Sequence, residues 1–381
     1  MKGVTKENIN KYALYEFLTE YKELNADNKY KPVAVGRYGI RKRESIYSKE
    51  LAKDYSKNKL IHKNTLTVGM GSKQIDIGIL IEDETFAVSP AYHTYKIQGI
   101  RCKYLEYCLQ SKNIEMFSLY AKRGSRQGKS IDLKRWLTYK IPVYSEEDQI
   151  VIEENLNKIN VVIELRRKQL ELLDELVRAR FVEMFGDLRI NDKGWKYYKL
   201  DELTELITDG EHATPKRTAD GIYLLSARNV LNHHLSLEDV DFIDCDEFDR
   251  ISRRIIPREG DVLISCSGSI GRCCVVPKNI KFQMVRSVAL LRFKSNINPV
   301  FAEYMITSDY LQDQINKSKT ASSQANLFQG KIKSLKGVLP PLELQNQFAS
   351  FVQEIDKSRL RELLAIKQIK LLLHDSWFLF Y

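Results

Sequence analysis

The sequence is poor in the residues that make loose connections. It has 18 glycines and nine prolines in 381 residues, well under the roughly 12 % the two usually supply together. Long flexible linkers are therefore not expected. No uncharged stretch approaches the roughly 18 residues that a membrane-spanning helix needs. The first ten residues carry Lys2, Lys6 and Glu7 and no apolar run, so no secretory signal is expected. The apolar end from Trp377 to Tyr381 is too short for an anchor. The six cysteines (Cys102, Cys108, Cys245, Cys266, Cys273 and Cys274) show no CxxC spacing, which argues against a zinc ribbon or redox motif. In a chain of this length they read as reduced, mostly buried thiols of a cytoplasmic protein.

Apolar residues make up 43 % of the chain and charged residues 29 %, a globular composition. The length suggests two to three domains. The net charge of +10 and the pI near 9.1 favour a polyanionic partner such as nucleic acid.

The chain repeats itself at an offset of 196. Ile152 meets Phe348, Leu156 meets Val352, Ile159 meets Ile355, and the match runs on to Phe185 and Tyr381. Apolar residues at 152, 156, 159, 163, 170, 173 and 177 step by three, four or seven, the stripe of a long helix. Neither helical segment contains Gly or Pro, and Gly186 ends the first. About 34 residues per helix give a rod of roughly 50 Å. A single apolar stripe needs a partner, and the chain's own copy supplies one. Upstream, "NTLTVGMGSKQIDIG" sits opposite "GDVLISCSGSIGRCC", each reading as strand, turn, strand, and "YLEYCLQS" sits opposite "FAEYMITS", a helix in both. The first 60 or so residues of each copy diverge: "GRYGIRKRESIYSK" has no counterpart in the second. Shared helices and divergent globular parts fit one architecture reading two targets.

With these segments in order, the chain resembles the specificity (S) subunits of type I restriction-modification systems. The resemblance rests on the two Pro-turn-plus-helix segments and on "DGEHATPKR…YLLSARNV…GDVLISCSGSIGR". Pro341, Leu342 and Gln345 carry a P-L-x-x-Q pattern; the first copy is looser, with Pro142 seven residues before Gln149. The resemblance implies an α+β chain with a pseudo-two-fold internal repeat. Two mixed α/β target-recognition domains, 1–143 and 189–338, would be separated by two long antiparallel coiled-coil helices, 144–188 and 339–381. It also implies a double-stranded DNA partner with a bipartite target. Two modification (methyltransferase) subunits that methylate adenine, and restriction subunits that translocate and cleave, would dock on it. The chain itself would catalyse nothing, hold no cofactor and touch no membrane. Readers at opposite ends of the rods would sit on the order of 12–15 base pairs apart.

A sequence reader needs cations for phosphates and polar side chains for base edges. The first copy offers Arg37, Tyr38, Arg41, Lys42 and Arg43, then a second basic loop with Lys122, Arg123, Arg126, Gln127 and Lys129. The second copy offers Thr214, Lys216, Arg217, Ser226, Arg228 and Asn229, and an uncharged loop with Ser322, Ser323, Gln324 and Asn326. The bland alternative for each is a solvated loop or a turn satisfying its own backbone. Ser265, Ser267, Gly268 and Gly271 read as turn-shaping residues, and so does His212.

Enzymatic readings fail on missing parts. Three residues lie between Gly124 and Gly128 instead of the four a phosphate loop needs, and they follow a helix. Pro340-Pro341 lies between Leu339 and Leu342, so the Asn/Asp-Pro-Pro-aromatic tetrad of an adenine methyltransferase is missing. Adjacent His233 and His234, near Asp239 and Asp241, do not easily face one metal. The remaining alternative is a coiled-coil adaptor that binds proteins without sequence-specific DNA recognition.

The helix stripe has one irregularity. Position 166 should be apolar but is Arg166, and its counterpart in the second helix is Glu362. In an antiparallel pair the middles meet, so the two charges are expected to pair and fix the register; snorkelling to solvent is the alternative. Arg166→Leu or Glu362→Leu alone should destabilise by about 3 kcal/mol, and the double change should recover much of the loss. Denaturant unfolding of the four proteins gives the coupling energy; a value near zero rejects the pair.

Overall fold

Alternation of side chains builds the centre of each half. In Thr65–Met70 and Ile75–Leu80, Leu66, Val68, Ile75 and Ile77 are fully buried. In Val262–Ser265 all four residues are buried. Such runs fit a pleated surface covered on both faces. The computed structural model describes residues 10–36, 39–46, 54–123, 129–317 and 326–380, the side chains of 123, 129 and 373–380 excepted. The chain divides into two units, residues 1–167 with 364–381, and residues 168–363.

The first unit opens with β1 (Lys11–Ala13), a 3-10 turn (Leu14–Glu16), β2 (Leu18–Glu20), β3 (Val33–Gly36), β4 (Gly39–Lys42) and β5 (Lys59–Ile61). Next come β6 (Thr65–Met70), β7 (Ile75–Leu80), β8 (Phe86–Val88) and β9 (His93–Ile97). Then follow α1 (Cys102–Ser111), α2 (Asn113–Tyr120), β10 (Ala121–Arg123), β11 (Lys129–Ile131), α3 (Leu133–Trp136) and β12 (Lys140–Pro142). The 40-residue α4 (Glu146–Phe185) starts here. Its main sheet has the order β2-β9-β6-β7, and β1 pairs with β12. Tyr95, Tyr104, Trp136 and the buried faces of the sheet and α1 form one core.

The second unit takes the end of α4 and continues with β13 (Tyr197–Lys199), α5 (Leu200–Leu203), β14 (Thr204–Asp209), β15 (Arg217–Thr218), β16 (Ile222–Leu225), β17 (Val230–Leu231), β18 (His234–Leu235), β19 (Asp241–Ile243) and α6 (Cys245–Ser252). It goes on through β20 (Val262–Ser265), β21 (Cys273–Val275), β22 (Phe282–Met284), β23 (Val288–Phe293), α7 (Pro299–Thr307), α8 (Asp309–Lys317), α9 (Gln329–Ser334) and β24 (Lys336–Val338). Helix α10 (Leu342–Phe380) closes the chain. Its main sheet has the order β14-β23-β20-β21, and β13 pairs with β24. A second sheet, β15-β19-β16-β22, is particular to this unit.

The repeat holds at the level of hydrogen-bond register. Leu66 pairs with Tyr95 and Ile79; Val262 pairs with Leu291 and Val275, all 196 residues on. The opening strands are also related, at an offset of 186. Ala13 pairs with Lys140 as Lys199 pairs with Lys336, and Leu18 pairs with Ile97 as Thr204 pairs with Phe293. The sequence reading missed this second offset. The ten additional residues of the second unit lie between β14 and β20.

Both long helices exceed the expected 34 residues, reaching about 60 Å. Nothing breaks the helix between the Pro-containing turn and the stripe, and the first turn of α4 carries Glu146, Glu147 and Asp148, which suit a helix N-terminus. Gly186, at φ +78°, ends α4 as expected. Within the second unit the end of α4 runs antiparallel to the start of α10. Phe181 meets Phe348 (ring centroids 5.4 Å apart), and two to three turns further along Asp174 meets Arg359 at 2.5 Å. Phe185 and Phe301 complete this aromatic cluster, each ring contributing about 2–3 kcal/mol by burial. Cys108, Cys266, Cys273 and Cys274 are buried, Cys102 is half-buried and Cys245 is exposed. Among the described residues no helix is long and apolar enough to cross a membrane.

Each long helix is pinned at its start by a buried glutamine. Gln149 Oε1 accepts from the Arg101 N–H at 3.1 Å, and its Nε2 donates to the Tyr144 carbonyl. Gln345 Oε1 accepts from the Asn298 N–H at 2.8 Å, and its Nε2 donates to the Pro340 carbonyl. The same residue thus ties the turn, the helix and the N-terminus of α1 or α7 together twice. Gln345→Leu leaves a buried donor and acceptor unmatched and should cost the second unit about 2–3 kcal/mol. Hydrogen exchange of the α7 amides measures the loss; unchanged protection rejects the role.

Candidate nucleic-acid interface

In the first unit the basic residues sit where short strands end. Arg41 and Lys42 finish β4 and are exposed; Arg43 follows in a 3-10 turn and is half-buried. Lys42 Nζ lies 3.8 Å from Glu84 Oε2 and above the Phe86 ring. Arg43 stacks over Tyr55 at 5.6 Å, its Nε buried and without a hydrogen-bond partner among the described residues. Lys122 is exposed, 3.8 Å from Asp132 Oδ2. Arg123 pairs with Lys129 across the β10–β11 ladder. Arg37, Tyr38, Arg126 and Gln127 lie outside the described residues, as do the side chains of Arg123 and Lys129. A cavity of about 480 Å³ is lined by β3, the end of β6, Tyr92, Ser130, Ile131 and Arg43. It brings the first basic loop beside the base of the second, two segments some 90 residues apart in the chain.

In the second unit the corresponding end of the main sheet gathers four loops. Ser267 bridges to Asn326, the Leu327 N–H donates to Cys266, and the Cys266 N–H donates to Ser287. The Ala227 N–H donates to Ser287 Oγ, and Glu211 bridges to Val285. Ser226, Ser267 and Asn326 therefore belong to one contiguous loop cluster. Ser322, Ser323 and Gln324 lie outside the described residues. Thr214, Lys216, Arg217 and Arg228 are exposed. Asn229 is buried at 1 % exposure and spoken for at both ends of its amide. Its Oδ1 accepts from the Ser226 N–H, and its Nδ2 donates to the Ser236 and Asp239 carbonyls. It shapes the loop that carries Arg228, the turn reading given above as the alternative.

Ion pairs stiffen the loop after β14. His212 Nε2 lies 2.7 Å from Asp209 Oδ2, and Arg254 reaches Asp209, Thr208 and the Gly210 carbonyl. Burial would raise the Asp209 carboxyl, but Arg254 and His212 outweigh it and hold it below the ordinary range. Arg250 grips Glu247, which the guanidinium holds down to about 2. Sequence reasoning missed Arg254 and Arg250, and met Asp241 only as an acid near two histidines. Their partners lie tens of residues away or on the preceding helical turn, and no local pattern marks them.

A second cavity in this unit, about 750 Å³, is lined by the end of α4, the β17–β18 turn, α7 and α10. His233, at φ +66°, stacks on Tyr304 with centroids 4.1 Å apart. Its Nδ1 is 3.5 Å from Oε1 of the buried Glu303. His234 points elsewhere, to the Asn232 carbonyl.

Comparison with known proteins agrees with this architecture. Residues 192–371 match the family model of the type I restriction modification DNA specificity domain. The type I restriction enzyme MjaVIII specificity subunit of Methanocaldococcus jannaschii is 22 % identical over 244 residues, 59 % of this chain and 57 % of that one. The chain thus aligns with little more than half of that relative's length. A chain from a structure titled for complex assembly and conformational transition of the type I R-M system superposes with a TM-score of 0.56 at 14 % identity, covering 96 % of this chain and 95 % of that one. The S subunit from M. genitalium gives a TM-score of 0.49 at 13 % identity over 98 % and 96 %. Residues 192–371 therefore resemble a type I restriction modification DNA specificity domain. The chain as a whole shares the fold of the chain superposed at a TM-score of 0.56, mixed in helix and strand with two long helices.

Burial raises the Glu303 carboxyl, with Asp356 adding to the rise and His233 opposing it. The fold then holds a proton that the unfolded chain releases in the ordinary carboxylate range, so stability falls as pH rises from that range through the raised value. Glu303→Gln should flatten this decline and raise the melting temperature at neutral pH. Thermal unfolding across a pH series checks it; parallel curves for the two proteins reject it.

Proposed function

We propose that this chain is the DNA-reading subunit of a type I restriction-modification assembly. Its two units, built around 1–143 and 189–338, would each read one half of a bipartite target in double-stranded DNA. The observation that carries this reading is the repeated sheet with matched ladder registers, beside loops that differ at the same end. A conserved frame with divergent loops suits two readers of unlike half-sites. Arg41, Lys42, Arg43 and Lys122 in the first unit would meet phosphates and bases, with Arg37, Tyr38, Arg123, Arg126, Gln127 and Lys129 alongside. In the second unit Thr214, Lys216, Arg217, Ser226, Arg228 and Asn326 would serve, with Ser322, Ser323 and Gln324, while Asn229 holds its loop in shape.

The long helices offer docking faces for partner subunits. Val161, Leu165, Leu172 and Leu176 on α4 are 47–62 % exposed and spaced by four, seven and four. Leu360, Leu364 and Leu371 on α10 are 54–57 % exposed and spaced by four and seven. Each set is a second apolar stripe beside the one buried in the fold, suited to a helix of another chain. Two modification (methyltransferase) subunits would dock there and supply the adenine methylation, and restriction subunits the translocation and cleavage. The chain itself contributes address and scaffold, in the cytoplasm.

Exchanging residues 1–143 for the equivalent domain of a relative should change one block of the methylated motif and leave the other intact. Methylation mapping in cells carrying the exchange reads this out. A motif changed in both blocks, or in neither, rejects the two-reader assignment; no motif dependent on the chain would favour a protein-only adaptor.

A further inference from the structure

Two of the candidate arginines of the second unit converge on one carboxylate. Arg217 stands on β15, Arg228 in the turn after β16, and Asp241 begins β19 between them. Asp241 Oδ2 accepts from Arg217 Nε at 3.1 Å, and Oδ1 lies 3.0 Å from Arg228 Nη2. Arg228 Nε also donates to the Asp239 carbonyl at 2.8 Å, the carbonyl that takes the Asn229 amide. The buried asparagine therefore fixes the loop, the loop fixes Arg228, and the carboxylate fixes both guanidinium groups.

The choice of nitrogen decides what each arginine can do. A guanidinium carries five donors in one plane. Arg217 is held through Nε, and among the described residues its two Nη atoms have no partner; its side chain is half exposed. Its free end thus presents two parallel donors, the fork that matches O6 and N7 of guanine in the major groove. Arg228 is held through Nε and Nη2, so among the described residues only the Nη1 nitrogen is left without a partner, and its two Nη atoms are not both free to form the fork.

Charge argues against a simple phosphate clamp. Two arginines sit with Asp239 and Asp241, so the patch is formally neutral. A carboxylate 3.1 Å from the cation weakens its attraction for a phosphate. It strengthens base reading instead, because an arginine already immobilised gives up less freedom on binding.

We propose that Asp241 is a positioning residue for specificity: it presents Arg217 end-on to a guanine in the half-site read by the second unit. This rests on the DNA-reading function proposed above. The test uses the chain assembled with its modification subunits, on duplexes carrying the mapped motif and single G·C to A·T changes in each half. Asp241→Asn should reduce the preference for guanine at one position of one half-site by roughly tenfold, within the range a bidentate pair commands. The other half-site should keep its preferences, and affinity for unrelated DNA should hold or rise as a negative charge is lost. Arg217→Ala, an exposed change, should lose the same guanine preference, and Arg217→Lys should not restore it. If Asp241→Asn raises affinity for all sequences alike and every base preference survives, Asp241 only tempers charge and the proposal fails while the DNA-reading function stands. If Arg217→Ala weakens all sequences uniformly, Arg217 is a phosphate contact and the proposal fails likewise. An unaltered assembly without any base preference would overturn the DNA-reading function itself.

Discussion

A neutral amide sets the geometry on which both units depend. Gln149 and Gln345 lie at the point where a turn becomes a long helix and where a second helix begins. Helix starts leave N–H groups without intrahelical partners, and a buried site cannot leave them so. One glutamine side chain satisfies an N–H of the globular part and a carbonyl of the turn at once. That fixes the direction in which the long helix departs. In the second unit Phe348, one turn past Gln345, then enters the aromatic cluster with Phe181, Phe185 and Phe301. In the first, Glu153, one turn past Gln149, accepts from the Tyr104 N–H and pairs with Arg101. The joint has the same first bolt in both units and a different second one, aromatic in one and ionic in the other.

Periodic features were legible in the sequence. The helix stripe, the strand–turn–strand pairs at 65–80 and 262–275, and α1 with α7 all follow from spacing that one face of an element imposes. The relation of β1 to β13 and of β2 to β14 was not legible. "KYA" and "YYK" are three-residue strands, too short to display a period, and only their ladder partners reveal the match. Gln345 stood out as part of a pattern, but its role depends on Asn298, 47 positions away.

At the candidate interface, sequence reading found residue types and could not find their directions. Asn229 and Arg228 are neighbours, yet one is buried as a turn former and the other exposed as a cation. Asparagine suits both roles, since its amide serves a turn as well as a base edge. Asp241 looked like a stray acid near two histidines. Its partners stand 13 and 24 positions away, one in a turn and one on another strand, and His233 is stacked on Tyr304 instead. Charge distributed along a chain does not say which cations are already answered by carboxylates, and that is what separates a phosphate contact from a held reader.

The ten residues by which the second unit exceeds the first fall between two ladders of identical register. The strands before and after them keep their partners, so the extra length is absorbed in the β15–β19 and α6 segment and transmits no slip to the sheet. Closing a longer loop costs little, about 0.6 kcal/mol for each doubling, whereas a one-residue slip in a strand would turn its buried face to solvent. The segment between these ladders can therefore differ in length from one unit to the other while the frame around it stays unchanged.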